Sequence, residues 1–109
     1  MAKCYDLYGS HSLSLVELRE AAEGCLGIRF TLHDSIYRGG DYFRSGDIGG
    51  EEFVIQLNRF EYENEEEIAE PAYADYLVIF RIGWTERGDE LREKLRKVPG
   101  LDFLRREFQ

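Results

Sequence analysis

A strand–helix–strand pattern occurs twice in this 109-residue chain, once towards each end. In the first copy, Lys3–Tyr8 is predicted to form a strand, and Ser14-Leu-Val-Glu17 is a capping box that begins a helix. Gly27 is predicted to end that helix, since a helix often ends in a residue with positive φ. Apolar and polar residues alternate over Ile28–Leu32, which predicts a half-buried second strand.

The second copy follows the same plan. The continuous apolar run Leu77–Phe80 predicts a central strand, and a helix with Leu91 and Leu95 on its inner side follows it. Pro99-Gly100 is expected to end this helix, and Leu101–Leu104 to begin a last strand. The two copies align at a constant offset along the chain, which sets Leu7 on Phe80 and Gly27 on Gly100.

Two such halves predict one α+β domain over residues 1–109, a ferredoxin-like split βαβ sandwich. Residues 3–34 would form the first half and 76–107 the second, with an acidic hairpin insertion over 35–75. Four antiparallel strands would have both helices on one face. The first strand and the Leu77 strand would be central.

The insertion between the halves is much longer than an ordinary connection between elements. Asp41–Arg44 and Glu52–Phe60 are predicted to pair as a hairpin that extends the sheet, around the glycine-rich turn Ser45–Gly50. The rest, Glu61–Asp75, is predicted to be an acidic loop. Because long connections often contain functional residues, we expect the function to reside here.

Charge separates the insertion from the rest of the chain. The net charge is −8, and the segment Asp34–Asp75 has twelve acidic residues against three arginines, a net −9. Such a surface would repel nucleic acid and anionic membranes and would suit a basic protein. Solubility alone is the alternative explanation.

Candidate catalytic and metal-binding motifs do not fit the expected chemistry. The triad residue types His33-Asp34-Ser35 are strand neighbours, whose side chains point to opposite faces. The glycines of Gly46-x-x-Gly49-Gly50 are followed by two glutamates and no P-loop lysine. The acidic residues from Glu61 onward have no EF-hand glycine. We therefore expect no enzyme activity, no cofactor and no metal.

The two cysteines, Cys4 and Cys25, have no zinc-type spacing and are expected to be unpaired structural residues. Unpaired cysteines are usual in a reducing compartment. No signal-peptide pattern is present in the sequence, and we expect a cytoplasmic protein.

What remains is a recognition surface, in which tyrosines act as anchors and carboxylates form a charged rim. The alternative is that these rings only pack the insertion onto the sheet. The predicted partner-binding residues are Tyr37, Asp41, Tyr42, Phe43, Glu61, Tyr62, Glu63, Glu65, Glu66, Glu67 and Glu70.

Three segments in particular give the chain its resemblance to a known family. They are Leu-Gly-Ile-x-Phe at Leu26–Phe30, Tyr-x-Gly-Gly-x-Tyr-Phe at Tyr37–Phe43 and Gly-Glu-Glu-Phe-x-Ile-Gln-Leu-Asn at Gly50–Asn58. In these segments and in its overall pattern the chain resembles the contact-dependent growth inhibition immunity proteins of bacteria. The resemblance implies a protein that binds a cognate toxin, commonly a basic nuclease, and occludes its active site. It brings no catalytic residues with it.

Two other functions stay open at this point. One is a ferredoxin-like sensory or small-ligand-binding domain that forms a dimer through its sheet edges. The other is an enzyme that pairs Asp or Glu with Tyr or Arg. The sequence does not decide the oligomeric state or the identity of the partner.

Overall fold

The structure is a computed structural model that describes residues 2–47 and 49–108. Ile48, in the predicted glycine-rich turn, lies outside the described residues, as do the first and last residues of the predicted domain. Within the described ranges the chain has two helices, α1 (Leu15–Leu26) and α2 (Gly88–Leu95). Its strands are β1 (Cys4–Ser10), β2 (Thr31–Ser35), β3 (Gly40–Gly46), β4 (Glu52–Leu57), β5 (Arg59–Tyr62), β6 (Glu65–Ile68), β7 (Val78–Thr85) and β8 (Asp102–Phe108).

The strands form an antiparallel sheet of six in the order β2-β3-β4-β7-β1-β8, and β5 and β6 form a separate two-stranded sheet. This confirms the predicted α+β class. It also confirms that the first strand and the strand after Leu77 lie in the interior of the sheet. No helix in the described part of the chain is long and apolar enough to cross a membrane.

The first helix begins and ends where the sequence predicts. The Ser14 hydroxyl accepts a hydrogen bond from the Glu17 amide at 3.1 Å, and the Ser14 amide donates to the Glu17 carboxylate at 2.9 Å. These two bonds satisfy amides that have no partner within the helix. At the other end, Gly27 has φ 69°, the left-handed conformation that glycine adopts at little cost.

Both helices pack on one face of the six-stranded sheet. Leu18 of α1 and Leu91 of α2 are fully buried, and they belong to one apolar cluster with Ile55 of β4 and Phe80 of β7. In the described part of the chain, both α-helices lie on this face. The opposite, helix-free face is partly covered by the segment between β6 and β7, and the rest of it forms an open groove.

A buried ion pair joins β1 to β8 and to the start of α2. The Asp6 carboxylate, with no exposed area, accepts hydrogen bonds from Nε and Nη2 of Arg106 at 2.7 and 2.9 Å. Arg106 also contacts Asp89 at 2.6 Å, in the first turn of α2. A buried carboxylate is tolerated when its charge and lone pairs are matched in this way.

The prediction of a strand over Ile28–Leu32 is wrong about where the strand begins and about which strand it pairs with. The strand begins at Thr31, and it pairs with β3 at the edge of the sheet, while β4 lies beside β7. Burial explains why β4, and not β2, lies beside β7. Phe53 and Val54, on opposite faces of β4, are both buried, so β4 suits an interior position, whereas Leu32 of β2 is 61% exposed.

The alignment of the two halves at a constant offset also fails, because residues that it treats as equivalent lie on opposite faces of the sheet. It equates Leu7 with Phe80, but Phe80 lies in the cluster under the helices and Leu7 lies on the opposite face of the sheet. A strand alternates its two faces, so a shift by one residue exchanges them. The predicted pairing of Asp41–Arg44 with Glu52–Phe60 is confirmed for Phe43 and Arg44, which pair with Ile55 and Val54. The pairing continues through Ser45 and Gly46, which were predicted to lie in the turn.

The segment predicted as an acidic loop, Glu61–Asp75, is partly ordered into strands. Glu61 and Tyr62 end β5, the four residues of β6 follow, and Pro71–Tyr73 forms a 3-10 turn. Most glutamates of this segment therefore lie on a two-stranded hairpin and not in a loop.

Asn58, fully buried between β4 and β5, holds this part of the chain together. Its Nδ2 donates to the carbonyls of Tyr73 at 3.0 Å and Tyr76 at 2.9 Å, and its Oδ1 accepts from the Glu70 amide at 2.8 Å. Its own amide donates to the Leu77 carbonyl at 2.8 Å. One side chain thus bonds three backbone groups of the segment Glu70–Tyr76, of which the Tyr73 carbonyl also accepts from the Tyr76 amide at 3.1 Å.

We expect Asn58→Ala to lower the free energy of unfolding by about 2–4 kcal/mol, because the Tyr76 carbonyl and the Glu70 amide would lose their side-chain partner and the Tyr73 carbonyl one of its two donors. Urea denaturation followed by circular dichroism measures this change. Asn64→Gly is the matched control, since Asn64 lies at a turn with φ 65° that glycine also adopts. Equal stability of the two variants would contradict the role given to Asn58.

Candidate functional site

The hairpin of β5 and β6 concentrates negative charge on a small surface. Its five glutamates are all exposed, and Glu61 lies directly opposite Glu66 in the strand register. Among the described residues, Glu66 is the one of the five with a salt-bridge partner, Arg59 at 2.8 Å. The five are Glu61, Glu63, Glu65, Glu66 and Glu67.

This arrangement is unfavourable for the stability of the isolated hairpin. Like charges directly opposite on neighbouring strands repel each other. At the tip, Glu63 has φ 52°, a conformation that a glutamate adopts only at some cost. The positive φ values of Glu63 and Asn64 close the two-residue turn of the hairpin. The facing like charges do not help the fold, so this surface is a candidate for binding a cationic partner.

An apolar hollow lies beside the acidic hairpin. Its volume is about 260 Å³, and its lining includes Tyr37, Phe60, Tyr62 and Ile68. Tyr37 is 73% exposed, and its ring centroid lies 5.5 Å from that of Tyr62. Two tyrosines at the edge of a hollow provide large, rigid contact area for a partner.

The turn that presents Tyr37 depends on a glycine. Ile36–Arg38 forms a 3-10 turn that ends at Gly39, where φ is 83°. A Cβ atom at Gly39 would lie 2.7 Å from the Phe60 side chain, so only glycine allows the turn to pack against β5. The local sequence Tyr37-Arg-Gly-Gly40 therefore positions Tyr37 at the hairpin.

The structure brings most of the predicted partner-binding residues together. Tyr37, Tyr62 and Glu67 line one hollow. Of the other four hairpin glutamates, Glu63 lies in the turn and the rest lie on β5 and β6. Asp41 and Tyr42 lie on β3 of the six-stranded sheet, where Asp41 is exposed and the Tyr42 ring stacks on His33 at 5.4 Å.

Phe43 and Glu70 do not belong to this surface. Phe43 is 7% exposed and packs in the apolar cluster under the helices, because its position in β3 points to the covered face. Glu70 is paired with arginines on the helix-free face of the sheet. The structure therefore separates these two residues from the acidic hairpin, and their contact with a partner stays a prediction.

Two apolar residues that the sequence does not mark as part of a surface are exposed, one on β2 and one directly before Tyr37. Leu32 and Ile36 are 61% and 62% exposed, and they lie on the edge strand β2 and in the turn after it. Their apolar character suggested burial, and only the sheet order reveals that β2 has one side without a neighbouring strand. They extend the apolar part of the surface beyond the hollow.

Glu70 joins two strands on the helix-free face. Its carboxylate accepts hydrogen bonds from Arg81 of β7 at 2.7 Å and from Arg105 of β8 at 2.9 Å. Burial opposes ionisation of Glu70, but the hydrogen bonds and charges of the two arginines outweigh it and hold its pKa below the ordinary value of 4.5. The carboxylate is thus a fixed structural charge.

Comparisons with known proteins supply no family for this chain. No protein-family model matches it, and no curated protein or solved structure is significantly similar to it. Within the described ranges, no three or more His, Cys, Asp or Glu side chains form a group that could hold a metal ion. The function is therefore argued from the geometry of the surface.

We expect Glu70→Gln to lower the free energy of unfolding at pH 7 by about 1–3 kcal/mol, because two charge-assisted hydrogen bonds are lost. Since the folded-state pKa of Glu70 is depressed, this stabilisation is present above about pH 4.5 and is lost as the pH falls further. The difference from the wild type should therefore shrink on acidification.

Urea denaturation between pH 3 and 7 measures both effects. Glu65→Gln, which changes an exposed glutamate of β6, is the control and should alter stability little. A Glu70→Gln deficit that stays constant over this pH range would contradict the assignment.

Proposed function

We propose that this protein binds a basic protein partner through the acidic hairpin and neutralises it, as an immunity protein neutralises its toxin. The observation behind the proposal is the juxtaposition of five exposed glutamates with an exposed apolar hollow. The fold does not require either feature. Together they have the composition of a protein–protein interface, an apolar centre with a charged rim.

Long-range attraction would act first. Hairpin glutamates that lack salt bridges keep their charge available, and the segment around them has a net charge of −9. A cationic active site that binds phosphate groups would be attracted to such a row of carboxylates. Electrostatic steering of this kind raises association rates by about 10–10³-fold at low ionic strength.

Short-range contacts would then determine how long the complex lasts. Tyr37 and Tyr62 are the anchors, and Leu32 and Ile36 continue the apolar surface along the sheet edge. A specific complex buries about 1,200–2,000 Å² in total, which the hairpin, the hollow and the β2 edge supply jointly. Asp41 and Tyr42, on the adjacent strand, lie at the rim.

The class of partner rests on the resemblance to contact-dependent growth inhibition immunity proteins, whose toxins are commonly basic nucleases. We place the activity in the cytoplasm, where such a toxin would act. The two unpaired cysteines, Cys4 and Cys25, are consistent with a reducing compartment.

We also infer that the fold is ferredoxin-like. In that reading β1, β4, β7 and β8 form the four-stranded split βαβ core, and the strands β2 and β3 are inserted between α1 and β4. The order β4-β7-β1-β8, with a helix after β1 and another after β7, supports the inference.

Charge reversal of the hairpin tests the electrostatic part of the proposal. The triple variant Glu61→Lys, Glu63→Lys and Glu65→Lys is compared with a control of equal net charge, Glu20→Lys, Glu86→Lys and Glu93→Lys, whose glutamates are exposed elsewhere. Wild type and control should capture the same basic protein from native lysate at ~50 mM salt, and the hairpin variant should not.

The captured protein is then assayed for nuclease activity with and without the wild-type chain. Inhibition that the hairpin variant lacks is the expected result. If the hairpin variant and the control capture identical sets of proteins, the hairpin is not the binding surface and the proposal fails.

Truncation of an anchor tests the short-range part. We expect Tyr37→Ala to speed dissociation from the captured partner by roughly 10-fold or more, with little effect on association, because a central tyrosine is lost. Surface plasmon resonance separates the two rates. Tyr5→Ala, which removes an exposed tyrosine packed beside Trp84, is the control and should leave dissociation unchanged.

A further inference from the structure

A groove on the helix-free face of the sheet is separate from the acidic surface. Its volume is about 330 Å³, within the size range of small-ligand sites. The segment Glu70–Tyr76 covers one end of this face, where Tyr76 packs over Gly9 and the Tyr73 hydroxyl donates to the Leu104 carbonyl. The groove is the part of the face that this segment leaves open.

Two guanidinium groups meet in the groove on one neutral oxygen atom. Nη1 of Arg38 and Nη1 of Arg81 both donate to Oε1 of Gln56, each at 2.7 Å. Gln56 is 2% exposed, so this oxygen is a buried and fixed acceptor. The two nitrogens are close neighbours because they share it, and their positive charges repel each other.

The carboxylates nearby compensate for only part of this charge. Glu70 contacts Arg81 and Arg105 but not Arg38. Among the described residues, no carboxylate lies within 4.0 Å of the Arg38 guanidinium, which packs instead on the Tyr42 ring at 4.9 Å. A bound anion between Arg38 and Arg81 would supply the missing negative charge through charge-assisted hydrogen bonds.

The lining of the groove limits the size and charge of that anion. Three acidic residues, Asp6, Glu52 and Glu107, line the groove and equal its three arginines in number, so a polyphosphate would be repelled. A single negative charge placed beside Arg38 suits the groove better. Tyr5, 41% exposed, forms an apolar wall, and its ring packs over Gly83, where a Cβ atom would lie 3.2 Å from it. Val54 contributes to the apolar floor.

We propose that this groove binds a small organic monocarboxylate, with its carboxylate between Arg38 and Arg81 and its apolar body against Tyr5 and Val54. The binding would be a second function of the chain, independent of the acidic hairpin. The convergence of two arginines on the buried Gln56 oxygen is the observation that supports it.

Benzoate and its neutral isostere benzamide are suitable probes. Titration of the full chain, followed by the Gln56 side-chain amide and the Gly83 backbone amide in ¹⁵N NMR spectra, should show saturable shifts with benzoate. Benzamide should bind about 10-fold more weakly or not at all, because it cannot accept charge-assisted hydrogen bonds as an anion. Inorganic phosphate should bind more weakly than benzoate, since it lacks the apolar body.

Arg38→Gln should weaken benzoate binding about 10-fold. Arg38 lies in a turn outside the strands, so this variant is expected to fold. The matched control Arg59→Gln, which removes an exposed arginine of the hairpin, should bind benzoate like the wild type. Tyr5→Ser is a second variant and should lose several-fold in affinity through the missing wall.

Three results would overturn the proposal. They are equal binding of benzoate and benzamide, equal loss of affinity in Arg38→Gln and Arg59→Gln, and shifts confined to residues outside the groove. The hairpin variant with three lysines should bind benzoate like the wild type, so failure of the neutralisation proposal is distinguishable from failure of this one.

Discussion

The side chain of Asn58 is the interaction on which both surfaces depend. It fastens the amide of Glu70 and the carbonyls of Tyr73 and Tyr76 to the end of β4, so the chain leaving β6 must return across the helix-free face. The return brings Glu70 to Arg81 and closes one end of the groove. The backbone of Asn58 also helps to fix the base of the acidic hairpin, because its carbonyl accepts from the Ala69 amide at 2.8 Å. A buried polar side chain stabilises one arrangement in this way when all of its hydrogen bonds are made.

Charge is divided between two different uses in this chain. Where a carboxylate is buried, as at Asp6 and Glu70, it is matched by arginines and its role is structural. The exposed glutamates of the hairpin are largely unmatched, with Glu61 and Glu66 in direct opposition. Surface pairs add little stability, so selection for stability alone gives no reason to cluster like charges there. The net charge of −8 therefore describes an uneven surface, and its distribution is more informative about binding than its total.

Local signals in the sequence were sufficient for the ends of α1, but not for the β5–β6 hairpin or for the order of the strands in the sheet. The capping box at Ser14 and the positive φ of Gly27 depend on a few adjacent residues, and both were predictable. The positions of β2 and β4 in the sheet depend on which of the two strands can be buried on both faces. The alternation of apolar and polar residues in each strand does not show which one that is. The same limit applies to side chains. Phe43 and Tyr42 are adjacent aromatic residues, and only the register of β3 sends Phe43 into the core.

The groove could not be predicted from the sequence, because its polar residues come from separate elements. Arg38 comes from a turn, Gln56 from β4 and Arg81 from β7. The turn Ile36–Arg38 also connects the two surfaces, since Tyr37 lines the hollow and Arg38 lines the groove. Gly39 holds this turn against Phe60, which leaves it little freedom to move one residue without the other. If an anion in the groove changes the position of Arg38, the position of Tyr37, the preceding residue of the chain, changes with it. Linkage then requires that a partner bound at Tyr37 change the affinity for the anion by the same factor.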